Sequence, residues 1–388
     1  MNLVGLAVRN AFRSRLRTAL TLASATAAVT AFIVLQTIIG AWLLRGERAA
    51  PDRVATWNEI AYGVPIPRLH ADEARAVPGV KQVTWATWFE GRDPRDERDY
   101  FTTLAVDAQT YLAVYDELEV DAASRACWAE DHRAALIGDL LAQRRGWKPG
   151  DRVTLTSGLF PGRWEFHICG VYTSARQAVD RGTFLFRWDY LDESVEPERK
   201  GKVDWLMSRL VPGQTSADVE RALDAHFADH EITTRSASER VLERKFAAAA
   251  TGMFTVINIT SLGLLFVVTL VLANTIAMGV KERMSEYGAL RALGFGNAKI
   301  AGLIAGESAI VGTVAGVLGA VLAHLLIGGG IGHWLEAHYS TLIPKVVVTP
   351  QMTAAVVVGA AVVGALAAIL PIRAALRRSV VDALRDVG

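Results

Sequence analysis

Glu286-Tyr287-Gly288-Ala289-Leu290-Arg291-Ala292-Leu293-Gly294 decides how this chain is organised, because it is a charged, helix-forming stretch pinned between two long apolar runs. Behind it, no Asp, Glu, Lys or Arg interrupts Phe246 to Val280. Ahead of it, none interrupts Ser308 to Ile331. Two further uncharged segments, Thr18 to Leu44 and Thr353 to Ile372, also reach the roughly 20 apolar residues that a bilayer crossing needs. The sequence therefore predicts four transmembrane α-helices, at 18–44, 252–280, 305–331 and 352–372, with a charged connector at 281–300. Such a connector is well placed to receive a push from a partner at the membrane surface.

Composition agrees with a mixed chain. Of 388 residues, 51% are hydrophobic, which is high for a soluble enzyme, and 21% are charged, which is high for a protein wholly inside lipid. The formal net charge of +1 hides an asymmetry. Residues 1–17 carry Arg9, Arg13, Arg15 and Arg17 with no acid, the connector carries Lys281, Arg283, Arg291 and Lys299, and the tail 373–388 carries four arginines against two aspartates. The outer loop expected at 332–351 holds only Lys345 and Glu336. Lys and Arg mark the cytoplasmic side, so both termini and the connector are expected inside and residues 46–245 outside. That inserted segment holds 27 basic and 34 acidic residues, a net charge of −7. The first apolar run is nearly twice as long as the roughly 7–15 residue core of a cleaved signal peptide, which favours a retained anchor. Residues 1–17 read as a basic amphipathic helix lying on the cytoplasmic leaflet, in contact with membrane lipids.

The inserted 45–245 segment alternates strand-like and helix-like pieces, an α/β pattern long enough for two subdomains. Val83–Phe89 and Tyr100–Val106 are rich in aromatic and β-branched residues and read as strands. Ala134–Arg145 reads as a helix with Leu136, Leu140 and Leu141 on one side. The turn Gly146–Asp151 then feeds a strand at 152–156. Further strands are expected at 164–172, 183–188 and 203–210. Thr215 caps a helix whose Val219, Leu223 and Phe227 form an apolar stripe. Cys127 and Cys169 both fall in this segment, where an oxidising compartment would permit a disulfide between them; two separate buried thiols are the plainer alternative. Their spacing does not suggest zinc. His226 and His230, four apart, have a spacing that can bind a metal, but an exposed helix end is the commoner reading and no metal is expected.

Within the connector, Glu282 and Glu286 are four apart and share one helical face. Leu290 and Leu293 are expected on a face that packs inward, Gly288 and Gly294 allow close approach or a turn, and Arg291 can pair with an acid. An ordinary amphipathic connector would show the same charge pattern. Gly302, Gly306, Gly312 and Gly316 form small-x-x-x-small steps that let helices approach closely in lipid, within the bundle or between copies. Glu307, at the edge of the third span, reads as a pairing residue, and Asn258 and Asn274 as bonded to neighbouring helices. There is no G-x-x-x-x-G-K-[ST] phosphate loop, no H-E-x-x-H and no G-x-S-x-G, so no catalytic constellation is expected.

The spacing E-x-G-x-L-R-A-x-G resembles the signature of the MacB/FtsX-like permeases. Three other stretches are similar to that family: Pro78–Val83 to its P-G-V-x-x-V, Leu136–Ala142 through Gly150–Leu155 to its I-G-x-x-L-A…G-D-x-V-x-L, and Pro371–Ala375 with Val381–Arg385 to its P-x-x-A-A…V-E-A-L-R. Val380, where proline is usual, and Tyr287, where an aliphatic or Phe is common, depart from it. The resemblance implies a bacterial inner-membrane permease with a MacB-like periplasmic core between helices 1 and 2. It implies a second copy or a homologous permease, and a separate cytoplasmic ABC ATPase that binds ATP and Mg and docks on the connector. An extracytoplasmic accessory protein would be a further partner; no cofactor in this chain and no nucleic acid is implied. The output would be efflux or extraction of a small-molecule, peptide or lipid-linked substrate, or else force passed to an extracytoplasmic cell-wall enzyme with nothing transported.

Overall fold

The computed structural model describes residues 15–43, 49–96, 100–174, 180–249, 251–339 and 346–377. The expected basic helix at 1–17 and the tail 373–388 fall mostly outside these residues. The chain divides into two compact units, one of residues 1–39, 252–332 and 347–388, the other of 40–251 and 333–346.

The first unit is helical. Arg15–Leu43, Thr251–Glu282, Asn297–Leu326 and Pro350–Ala367 are its long helices, and among the described residues four helices are long and apolar enough to cross a membrane. Leucine and valine side chains such as Leu262, Val267 and Val358 are exposed along them, as expected where lipid is the solvent. Polar side chains close their bonds within the bundle: Thr30 donates to the Gly319 carbonyl at 3.2 Å, and Gln36 to Asn258 at 3.0 Å. Asn274, expected to do the same, lies exposed. The last long helix breaks at Ala368, one turn before Pro371, whose ring nitrogen has no hydrogen to give the Ala367 carbonyl.

The second unit is built on strands β1 (Arg53–Asn58), β2 (Ile66–Pro67), β3 (Val80–Trp88), β4 (Gly91–Arg92), β5 (Thr103–Val106), β6 (Leu118–Glu119), β7 (Ala134–Gly138), β8 (Arg152–Ser157), β9 (Arg163–Ser174), β10 (Phe184–Arg187), β11 (Lys202–Val203), β12 (Trp205–Leu210) and β13 (Thr234–Ser238). One mixed sheet runs in the order β13-β1-β12-β3-β5-β10-β7-β9-β8-β4, with β6 beside β9 and a separate β2–β11 pair. The β5–β10 and β7–β9 pairs are parallel and the others antiparallel. Alternate residues of a strand serve opposite faces, and both faces carry a core: Val54, Val83 and Ile137 on one, Ala55, Ala86 and Leu136 on the other. Two separate subdomains are therefore not what forms, because one sheet continues through the whole insertion.

Two further expectations need correction. Ala134–Gly138 is a fully buried central strand, and only Asp139–Arg145 is helical. A short apolar run looks alike in a buried strand and a helix, and here pairing on both sides by β10 and β9 decides. Residues 332–339, expected within a loop, are helical. The Ser216–Phe227 helix forms as its sequence suggests, with the Thr215 hydroxyl accepting the Asp218 N–H at 3.3 Å and Val219, Leu223 and Phe227 buried.

Candidate coupling segment

The connector is not one helix over 281–300. The second long helix runs to Glu282, Arg283 leaves helical geometry, a nine-residue helix spans Met284–Ala292, and the third long helix begins at Asn297. Gly294 ends the short helix with φ of +89°, a left-handed conformation that glycine adopts without strain. Around it, the Gly294 N–H donates to the Arg291 carbonyl and the Phe295 N–H to the Leu290 carbonyl, both at 3.0 Å. This Schellman pattern satisfies two helix-end carbonyls and turns the chain back towards the next span.

The buried face of the short helix is Met284, Tyr287 and Gly288, packed with Val280, Ile300, Leu303 and Ile304. Leu290 is half-buried at the edge of this cluster, whereas Leu293, expected inward, is 77% exposed. Helical period explains the difference: 284, 287 and 288 share one stripe, while 286, 289 and 293 fall on the opposite one. Tyr287, which departs from the family pattern, is thus a core residue. The outward stripe carries Glu286, Ala289 and Leu293, all exposed; Glu282, expected to share one helical face with Glu286, is exposed too but ends the preceding helix before the break at Arg283.

Arg283 fixes this helix to the third span. Its guanidinium contacts the Glu307 carboxylate at 2.8 and 3.2 Å and Glu286 at 3.1 Å, and lies 5.4 Å from the centre of the Tyr287 ring. Burial opposes charge on Arg283, but Glu307, Tyr287 and Glu286 together hold its pKa above the ordinary arginine value. A two-point Arg–carboxylate contact defines direction as well as distance. Glu307 is therefore a pairing residue, and the short helix is tied to a long one at a geometrically specified joint.

Residues 258–380, which contain this joint, match the FtsX-like permease C-terminal family. An uncharacterized ABC transporter permease of Methanocaldococcus jannaschii is 22% identical over 340 residues, spanning 84% of this chain and 82% of that protein. The likeness to that family therefore lies in residues 258–380, about a third of the chain. Among solved structures, this chain is similar to the periplasmic region of MacB from Actinobacillus actinomycetemcomitans (9% identity, 52% of this chain and 95% of that one, TM-score 0.39). It is also similar to the extracellular domain of the noncanonic ABC-type transporter YknZ from Gram-positive bacteria (12% identity, 48% and 100%, TM-score 0.35). Among the described residues the chain thus combines four helices long and apolar enough to cross a membrane with a mixed α/β domain.

The glycine stripe divides in two. Gly312 and Gly316 lie against Ala360 and Val357 of the fourth long helix, and a methyl group at Gly312 would run into the Ala360 carbonyl. Gly302 and Gly306 have open space where a side chain would be. The first pair thus packs within one bundle.

The α/β unit holds a buried ionic cluster that the sequence did not reveal. Arg53 on β1 contacts Glu239 through Nε at 2.6 Å and Nη2 at 3.1 Å, and Glu117 at 2.6 Å. The Tyr115 ring lies 4.3 Å from its guanidinium carbon. Burial works against the charge, yet Glu239, Tyr115 and Glu117 keep Arg53 well above the usual arginine range. Arg53 follows the chain's arrival from the first span, and Glu239 opens the Glu239–Ala249 helix that leads to the second. Both chain connections are thereby clasped together within this unit. No local sequence signal finds a pair 186 residues apart.

Cys127 and Cys169 form a disulfide with their Cα atoms 5.5 Å apart. His226 and His230 both approach Glu73, at 3.6 and 2.8 Å.

Proposed function

We propose that this protein is the membrane subunit of an ABC system, working as a homodimer, on which a separate cytoplasmic ATPase docks at the outward stripe Glu286, Ala289 and Leu293 and at Glu282 just before it. ATP and Mg bind the ATPase, not this chain. Closure of the ATPase pair pushes the Met284–Ala292 helix, the Arg283–Glu307 contact carries that push into the third span, and the 46–245 domain moves outside the membrane. Movement of that domain expels or extracts a small-molecule, peptide or lipid-linked substrate. Both termini and the connector lie in the cytoplasm, as the Lys and Arg distribution favours.

One observation carries this reading. A short helix between two spans is anchored on its inner stripe by apolar packing and on its end by a two-point ion pair, while its outer stripe presents the Glu286 carboxylate and Leu293, 77% exposed. Leu293→Asp is the sharpest test, since that side chain supports nothing inside the permease. The variant should keep its thermal midpoint while losing co-purification of the ATPase and stimulation of ATP hydrolysis. Unchanged co-purification would defeat the docking assignment. Leu290→Asp is a poorer probe, because a half-buried charge would also loosen the short helix.

A further inference from the structure

Four metal-ligating side chains converge at the disulfide. Cys127 lies on the Ala122–Glu130 helix, Asp131 caps that helix, and His167 and Cys169 are two apart on β9. One donor atom from each lies within 4.8 Å of every other. The convergence is built by packing. Gly170 has Ser124 directly over it, where any Cβ would collide with the serine side chain. The helix therefore sits close on β9, and Cys127 and Asp131, one and two turns beyond Ser124, reach the strand. Two alternate residues of a strand point to the same face, which brings His167 alongside Cys169.

We propose that these four residues form a redox-gated site for one divalent cation of the zinc class. Oxidised, the two sulfurs bond to each other and staple the helix to β9. Reduced, they serve with His167 Nδ1 and Asp131 Oδ2 as a tetrahedral S2NO set. His167 Nδ1 is 4.0 Å from Cys127 Sγ and 3.9 Å from Cys169 Sγ. Metal–sulfur bonds of about 2.3 Å and metal–nitrogen bonds of about 2.0 Å put those two atoms roughly 3.6 Å apart in a tetrahedron. His167 and Asp131 are already held together at 2.7 Å, with side chains 34% and 35% exposed, so a cation and a small reductant both have access. The sulfurs must separate, and the His167–Asp131 contact must open from 2.7 Å to the roughly 3.3 Å that two ligands at about 2.0 Å span in a tetrahedron.

The chemistry balances with an external dithiol. The dithiol gives two electrons to the Cys127–Cys169 bond and leaves as its own cyclic disulfide, and both protein sulfurs become thiols. The cation then binds them as thiolates, and two protons pass to solvent. Soft thiolate with imidazole selects zinc and its neighbours over magnesium or calcium.

The test uses the full chain in detergent, reduced with dithiothreitol, desalted under argon and titrated with cobalt(II). We expect one equivalent to bind, with the visible absorption of a tetrahedral ion and a thiolate-to-cobalt charge-transfer band, both erased by zinc. The oxidised protein should show neither. His167→Ala and Asp131→Asn should each weaken binding at least about tenfold, while the tryptophan-monitored melt of the reduced protein stays cooperative. Absence of the thiolate band, unaltered affinity in both variants, cobalt binding that survives Cys127→Ser with Cys169→Ser, or loss of the cooperative melt on reduction would each overturn the proposal.

Discussion

Replacing Arg53 by Met probes the clasp of the α/β unit. The side chain of Arg53 is 2% exposed, that of Glu117 3% and that of Glu239 16%. Met fills much of the same volume but carries no charge, so two carboxylates are left in a site that excludes water. Breaking a buried pair from one side costs about 3–5 kcal/mol. The partial exposure of Glu239 places the expected loss at the lower end, about 3 kcal/mol. In a domain of this size each kcal/mol shifts the midpoint by about 2–4 °C, so the variant should melt about 6–12 °C below the parent. Tryptophan fluorescence suits the measurement, because Trp57, Trp85, Trp88, Trp164 and Trp205 all belong to this unit. Adding Glu117→Gln and Glu239→Gln to the same chain removes the stranded charges and should return at least half of the loss. A melt of Arg53→Met within about 2 °C of the parent, or a triple variant no better than the single one, would show that the pairing is not what holds β1 to the Glu239–Ala249 helix.

Three other outcomes follow from named contacts. Asp204 is 7% exposed, accepts the Trp88 N–H at 2.8 Å, and is pushed by burial from 3.8 up to about 6. A carboxyl raised in the fold contributes stability fully present below about pH 4 and lost as pH climbs through about 6, on the order of 3 kcal/mol. Asp204→Asn should therefore flatten the midpoint between pH 4 and 7 and raise it at pH 7; an undiminished pH slope would count against this. Gly312→Ala should lower the thermal midpoint of the detergent-solubilised protein by about 1–3 kcal/mol equivalent through overpacking against Ala360, whereas Gly302→Ala should leave it unchanged. Equal effects at both would contradict the packing. Finally, Lys200→Cys, at an exposed position, should react with a membrane-impermeant maleimide in intact cells; labelling only after permeabilisation would invert the orientation.

The four spans were legible because each is an uninterrupted apolar run, and lipid imposes that requirement on the residues themselves. The connector was legible for the converse reason, since charge between two such runs has to lie at a surface. Gly294 could be assigned to a turn, and the tertiary structure supplied the hydrogen bonds that require it. The inward side of the short helix was misjudged at Leu293, because the stripe that packs is chosen by Val280, Ile300 and Leu303 on neighbouring helices. Of the β7 run, the residues gave apolar character but not conformation.

What the sequence alone determined is the order of apolar and charged segments, the uneven distribution of Lys and Arg between them, and a family resemblance through a short motif. All of these are properties of local composition, which water and lipid read directly. The tertiary structure decided which distant residues meet: Arg53 with Glu117 and Glu239, Arg283 with Glu307, and two cysteines with His167 and Asp131. Those meetings depend on strand order and helix packing, so their partners lie tens to nearly two hundred residues away, where no local pattern can name them.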